Sequence, residues 1–248
     1  MLPQDRHQDA ITDDRSTLRF TNVQDLFKTI DSTARDSLTI THVSLHRFLE
    51  IESARERRRR KVGFRHYDSD SQILIVTIPT ALHERLHSRI YDKFFVQISN
   101  MGLDDSWVSI ASTMLPAQQG GNSRRWKGGK EGDSSGGPMP ERETLDAWPT
   151  LVIEAGVSET LAQLRLGMRR WVSISNHEVK IVLLAKFNGN QITLEKWEEE
   201  EPLQTHVANS SALVLSFRLL FLKDPGSREG DVVFSVEELQ KYARLIWR

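Results

Sequence analysis

The stretch WPTLVIEAGVSE (148–159) decides how the fold is read. Its core, TLVIEA (150–155), is apolar on both faces, as a strand buried in the middle of a sheet must be. One acid, Glu154, interrupts the run near its end. A buried carboxylate needs a partner or a metal, because an isolated charge in an apolar setting is very costly. Ser158 and Glu159 lead a helix to about Ser173, and KIVLLAKF (180–187) supplies a second apolar strand. Two buried strands flanking one helix point to a mixed α/β sheet.

The segments around this centre extend the alternation. SQILIVTI (71–78) is β-branched and reads as a strand. Pro79 and Thr80 open a long helix, TALHERLHSRIYDKFFVQIS, which ends at Gly102, with Pro at the start and Gly past the end. WVSIAST (107–113) reads as a strand, and 117–140, rich in Gly, Ser, Arg and Lys, as a long loop crossed by one short strand. QITLEKW (191–197) alternates like an edge strand, and EKWEEEE (195–201) reads as exposed acid that discourages sheet-to-sheet pairing. SALVLSFRLLFL (211–222) reads as a further strand. SVEELQKYARLIW (235–247) is a helix with Ser235 as N-cap and Glu238 at the capping-box position. Upstream, residues 1–16 read as a flexible tail. Helices follow over Asn22–Arg35 and Val43–Lys61, where Leu26, Phe27 and Ile30, then Leu45, Phe48 and Leu49, recur at helical spacing. The expected organisation is a tail and helical extension over 1–62 and an α/β core over 63–248.

Composition narrows the function classes. Across 248 residues, 38% are hydrophobic and 27% charged, which suits a soluble globular chain with a sizeable core. The net charge of −1 gives no global attraction to nucleic acid or an anionic membrane, so any such attraction must come from a local patch. The absence of cysteine excludes disulfides, thiolate metal sites and a cysteine nucleophile. The polar start, MLPQDRHQDAITDDRS, does not read as a secretory signal, and no apolar stretch reaches the ~20 residues that span a bilayer. The expected location is intracellular, cytoplasmic or nuclear, without a membrane partner.

Three motifs compete for the chemistry. HERLH (83–87) places two histidines one helical turn apart with a glutamate between, the zinc-peptidase pattern, but no third ligand sits in a recognisable partner motif. GDSSGGP (132–138) resembles the nucleophile loop of chymotrypsin-like proteases with one extra residue, which would displace the serine from an oxyanion hole. The third is dispersed: Glu84 on the long helix, Asp133 after KGGKEG, and Glu154 at the end of its strand. Acids converging at a sheet edge bind Mg²⁺ or Mn²⁺ through oxygen.

The order strand, HERLH-bearing helix, strand, KEGD (130–133), WPTLVIEAGVSE, helix and VKIVLL strand resembles the PD-(D/E)XK superfamily. It is most similar to a branch related to the Uma-type candidate restriction endonucleases. The resemblance covers about 64–248 and rests on the KEGD and WPTLVIEAGVSE blocks together. It implies a restriction-endonuclease-like mixed sheet flanked by helices, with Glu84, Asp133 and Glu154 as metal-binding acids. One departure matters: the lysine expected two residues after the strand glutamate is replaced by Gly156. The following helix, SETLAQLRLGMRRW, has no lysine, with Gln163, Arg165 and Arg169 among its polar or cationic substitutes. Strand alternation counted back from Asp133 turns Lys130 to the opposite face and gives Glu131 the face of Asp133.

Two basic segments suit an anionic partner. RERRRRK (55–61) reads equally as a phosphate-binding patch, a nuclear address or a solvated helix end. RRWKGGK (124–130) brings Arg124, Arg125, Lys127 and Lys130 beside the proposed site. The resulting expectation is a metal-dependent, nuclease-like phosphodiesterase. Asp133 and Glu154 would hold the metal with help from Glu84, and Gln163 or Arg165 would contact the phosphate. The alternatives are a fold kept for binding or assembly, or an enzyme of different chemistry acting on a small anionic metabolite in the same cleft. Nucleic acid or a small anionic substrate is the expected partner, and a homodimer is left open.

Overall fold

The computed structural model describes residues 17–59, 61–110, 113–116, 128–144, 146–198, 201–207 and 211–247, the side chains of 201–207 excepted. The chain opens with β1 (Thr17–Arg19), α1 (Val23–Ser32), β2 (Ser37–Thr41), α2 (Leu45–Glu56), β3 (Gly63–Asp68) and β4 (Ile73–Thr77). It continues through α3 (Ala81–Asn100), β5 (Trp107–Ile110), β6 (Leu115–Pro116), β7 (Gly128–Lys130) and β8 (Ser134–Pro138). The second half holds β9 (Leu151–Gly156), α4 (Leu161–Ile174), β10 (Ile181–Phe187), β11 (Ile192–Glu198) and β12 (Glu201–Val207). It closes with β13 (Leu213–Leu215), α5 (Phe217–Phe221), β14 (Val232–Phe234) and α6 (Val236–Ile246).

Strand β9 runs inside a six-stranded sheet ordered β12-β11-β10-β9-β8-β5. It lies parallel to β10, with Glu154 opposite Leu184, and antiparallel to β8, with Ile153 opposite Ser134. Both faces are covered, which is why its sequence is apolar throughout. Ile153 and Ala155 face Leu86, Ile90 and Phe94 of α3, in a core that α5 and α6 complete. Val152 faces Leu164, Met168 and Trp171 of α4. By the two-residue period of a strand, Glu154 shares the α4 face with Val152.

A second six-stranded sheet, β1-β2-β4-β3-β7-β6, buries Phe27 and Ile30 of α1 and Phe48 and Ile51 of α2. The sequence reading found the two N-terminal helices but not the strands between and before them. SLTIT (37–41) pairs antiparallel with β4, so this segment belongs to the sheet as well as covering it. The chain leaves this sheet at the end of β7 and enters the other at β8, so Glu131, Gly132 and Asp133 form the crossing.

Capping explains where the helices start. Thr80 accepts a hydrogen bond from the His83 amide at 3.1 Å, which fixes the first turn of α3. Thr160, not Ser158, caps α4 and forms a capping box with Gln163, while Ser235 and Glu238 form the expected box on α6. Two readings are corrected. In 211–222 only Leu213–Leu215 is extended. Phe217, Leu220 and Phe221 recur at i, i+3 and i+4 and bury one face of a short helix, and a short apolar run does not separate the two forms by pattern alone. QITLEKW is interior, between β10 and β12, so Glu195 is fully buried and not an exposed edge acid. Among the described residues no helix is long and apolar enough to cross a membrane.

Asp36, just before β2, ties the two halves together. Its carboxylate accepts from the amides of Val157 and Ser158, each at 2.7 Å, and from the Ser158 hydroxyl. These donors belong to the turn between β9 and α4, where Glu159 also lies. Asp36→Ala strands all three and is expected to cost about 3 kcal/mol. Urea unfolding should show a lower midpoint at unchanged slope. A loss below about 1 kcal/mol would mean the turn keeps its shape without Asp36.

Candidate functional site

Glu154 is almost wholly enclosed, at 3% exposure. One carboxylate oxygen, Oε1, accepts from Trp171 Nε1 at 2.5 Å and from Lys130 Nζ at 3.3 Å. Trp171 arrives from α4, and the Lys130 ammonium sits 4.7 Å from the centre of its ring. Lys130 comes from the other sheet, at the end of β7. Burial lowers its pKa to about 8, and the Glu154 charge only partly offsets this. The alternation argument that turned Lys130 away fails because 130 and 133 do not share a strand. Glu131 instead turns toward α2 and β3, accepting from the Phe64 amide at 2.7 Å and pairing with Arg55 at 2.5 Å.

Asp133 is the second acid of the site, with 8% of its side chain exposed. Its Oδ2 accepts from the Ala155 amide at 2.8 Å, which fixes it to the end of β9. The same oxygen stands 3.3 Å from His83 Nε2 and 3.4 Å from the Arg65 guanidinium. Burial alone would raise the Asp133 pKa, but the charges of His83 and Arg65 hold it well below the ordinary carboxylate range. For His83 burial works downward, and Asp133 outweighs it, pushing the imidazole up to about 10.

Arg65, from β3, links the acids. Its Nε lies 3.4 Å from Glu154 Oε2, one terminal nitrogen faces Asp133 and donates to the Ala155 carbonyl at 2.8 Å, and the other pairs with Glu159. Only 5% of this side chain is exposed. A planar, permanently charged fork suits such a multi-carboxylate pocket. An ion shared by Asp133 and Glu154 would need oxygens at about 2.0–2.2 Å. In this arrangement the guanidinium contacts both acids, at 3.4 Å from each, where such an ion would otherwise sit.

Beside this network α3 presents His83, Glu84 and His87. Glu84 is half-exposed, and its Oε1 lies 3.4 Å from His87 Nε2 and 3.7 Å from His83 Nδ1. Contacts from His83 and His87 hold its pKa down to about 2. Glu84 and His87 line a cleft of about 470 Å³ whose other walls carry Arg55, Arg58, Lys61 and Arg65 alongside Glu56, Glu131 and Asp133. Arg58 pairs with exposed Asp31 at 2.5 Å, and Lys61 is exposed.

The structure therefore brings Asp133 and Glu154 together, but through Arg65. Glu84 reaches Asp133 through His83 and does not touch Glu154. Gln163 lines a small cavity beside Glu154, with its amide oxygen committed to the Thr160 cap at 2.8 Å. Arg165 points elsewhere, holding buried Glu195 of β11 at 2.9 and 2.5 Å. Arg124, Arg125 and Lys127 lie outside the described residues. At 156 a Cβ would stand 2.6 Å from Leu164 Cδ1, so α4 approaches too closely for lysine unless Leu164 moves. Sequence reading missed Arg65, Glu159, Trp171 and the inward turn of Lys130.

No family model matches the chain, and no curated protein resembles it in sequence. A solved structure from Anabaena variabilis ATCC 29413, a candidate nuclease belonging to DUF820, is similar to it in fold. The TM-score is 0.53 at 10% identity, over 81% of this chain and 98% of that one. At that identity the likeness is one of architecture. The chain is a mixed α/β protein, its sheets flanked by helices, with a fold like that of a candidate nuclease.

Proposed function

We propose that this chain is a nuclease-fold protein that binds the phosphate backbone of nucleic acid along the cleft wall carrying Arg58 and Lys61, without metal-dependent cleavage. The carrying observation is Arg65, which supplies internally the positive charge that a divalent ion would bring to Asp133 and Glu154. Arg58 and Lys61 line the cleft, where phosphate would meet them, and RRWKGGK is a second basic stretch of the sequence. The test is binding of labelled DNA and RNA oligonucleotides across a salt series. Binding should weaken steeply with salt, and Arg58→Ala with Lys61→Ala should lower the log–log slope by about 2, through two lost phosphate contacts. No product should form with Mg²⁺ or Mn²⁺. Failure of the wild type to bind at low salt would refute the reading.

A second reading has one observation in its favour. Lys130 Nζ, 3.3 Å from Glu154, offers the lysine that position 156 lacks. On that reading the protein is a phosphodiesterase using Mg²⁺ or Mn²⁺ at Asp133 and Glu154, with Glu84 assisting, once Arg65 has swung away. Cleavage by the wild type that disappears in Glu154→Gln would select it over the first.

A further inference from the structure

We propose that His83, Glu84 and His87 form a site for one late first-row divalent ion, of the Zn²⁺ or Co²⁺ class, at the mouth of the cleft. It is separate from the acids held by Arg65 and does not depend on whether the cleft binds nucleic acid. Spacing i, i+4 on α3 puts both imidazoles on one face, with ring centres 5.4 Å apart. One nitrogen of each ring and one Glu84 oxygen all lie within 4.8 Å of one another. A tetrahedral ion with bonds of about 2.0–2.1 Å holds its ligands about 3.4 Å apart. Glu84 Oε1 already stands 3.4 Å from His87 Nε2 and 3.7 Å from His83 Nδ1.

The far side of each ring faces a polar group, through a hydrogen bond for His87 and an ion-pair contact for His83. His87 Nδ1 meets the Ser134 hydroxyl at 2.8 Å, and His83 Nε2 faces Asp133 at 3.3 Å. Such outer contacts orient the ring and leave the other nitrogen for the ion. His83 is fully buried, and neither of its ring nitrogens makes a hydrogen bond, Nδ1 being the one turned toward Glu84. A buried polar atom left in that state calls for an explanation, and an ion provides one. Two imidazoles and one carboxylate favour Zn²⁺ or Co²⁺ over the all-oxygen preference of Mg²⁺. With three protein ligands, the fourth position opens to the cleft beside Arg55, Arg58 and Lys61. Glu84 acts here as a ligand, whereas the peptidase pattern uses that glutamate to activate water, so HERLH serves a different role from the one its spelling implies.

The test is Co²⁺ titration of the full chain after chelator treatment, followed by visible absorption and calorimetry. One equivalent should bind with ligand-field absorption. Zn²⁺ should displace it and millimolar Mg²⁺ should not. Glu84→Gln, a half-exposed position, and His87→Ala should each lose at least tenfold in affinity while circular dichroism remains that of the wild type. Ser134→Ala, which would touch no metal, should cost about tenfold through His87. Absence of Co²⁺ binding by folded wild type would overturn the proposal. So would unchanged affinity in both Glu84→Gln and His87→Ala.

Discussion

Arg65→Met is expected to destabilise the protein by about 3–5 kcal/mol and to make its stability depend on Mg²⁺. Methionine keeps most of the length and apolar stem of arginine but not its charge. Asp133, Glu154 and Glu159 are then left facing one another with little access to water. A buried ion pair adds little net stability over a well-packed apolar substitute, yet removing one partner exposes the full cost of the stranded charge. Here the guanidinium reaches three acids, of which Glu154 keeps Lys130 at 3.3 Å and Asp133 keeps His83 at 3.3 Å when it is removed. The vacated space is bordered by oxygen donors, so Mg²⁺ should enter it and stabilise the variant by mass action, by about 2.7 kcal/mol at a hundred times its dissociation constant. The wild type should not respond. Urea midpoints with and without Mg²⁺ measure both effects, and Arg65→Lys, which keeps the charge but loses the fork, should fall between. Mg²⁺ also separates this pocket from the histidine cluster on α3, which favours softer ions. An equal Mg²⁺ response in wild type and Arg65→Met would show that the guanidinium does not hold the place of a metal.

The residues that made Glu154 legible are the ones that made Arg65 invisible. Glu154 stands out because its neighbours along the chain, Leu151, Val152, Ile153 and Ala155, are all buried. The β9–α4–β10 unit was legible for the same local reason. Arg65 lies in GFRHYD, whose mixed composition suits a half-solvated strand, and its acceptors Asp133 and Ala155 are 68 and 90 residues away. No local pattern encodes a contact between a strand of one sheet and a strand end of another. Lys130 was misread for a related reason. Side-chain alternation holds within one strand, and the chain changes sheets between 130 and 134. Arg165 was assigned to the site because α4 follows Glu154, but the buried Glu195 on β11 claims it, and that strand had been read as an edge. Short elements such as β1 and β2 carry too few residues for periodicity to reveal them.

Acid should destabilise the protein between pH 6.5 and 4.5 through one residue, His66. This imidazole, on β3 beside Arg65, is buried, and its Nδ1 has no hydrogen-bond partner. Burial first, then the charges of Lys130 and Arg170, lower its pKa from 6.5 to about 3. The unfolded chain therefore binds a proton across that interval and the folded chain does not. Stability rises with pH wherever the unfolded state holds more protons, so His66 imposes no penalty above 6.5 and a growing one below it. At about 1.4 kcal/mol per pKa unit the complete penalty is about 5 kcal/mol, of which about 3 is present by pH 4.5. Asp36, Asp133 and Glu84, all shifted downward, enter only at lower pH, whereas His83 is shifted upward and affects only the range above 6.5. Glu131, pushed up by burial, acts in the opposite sense near the carboxylate range, so the readout is the difference between two proteins. Urea unfolding of wild type and His66→Leu at several pH values should show the wild type losing about 3 kcal/mol from pH 6.5 to 4.5 and the variant losing much less. Parallel profiles would place the acid sensitivity elsewhere, since leucine has no proton to gain and no charge to set against Lys130.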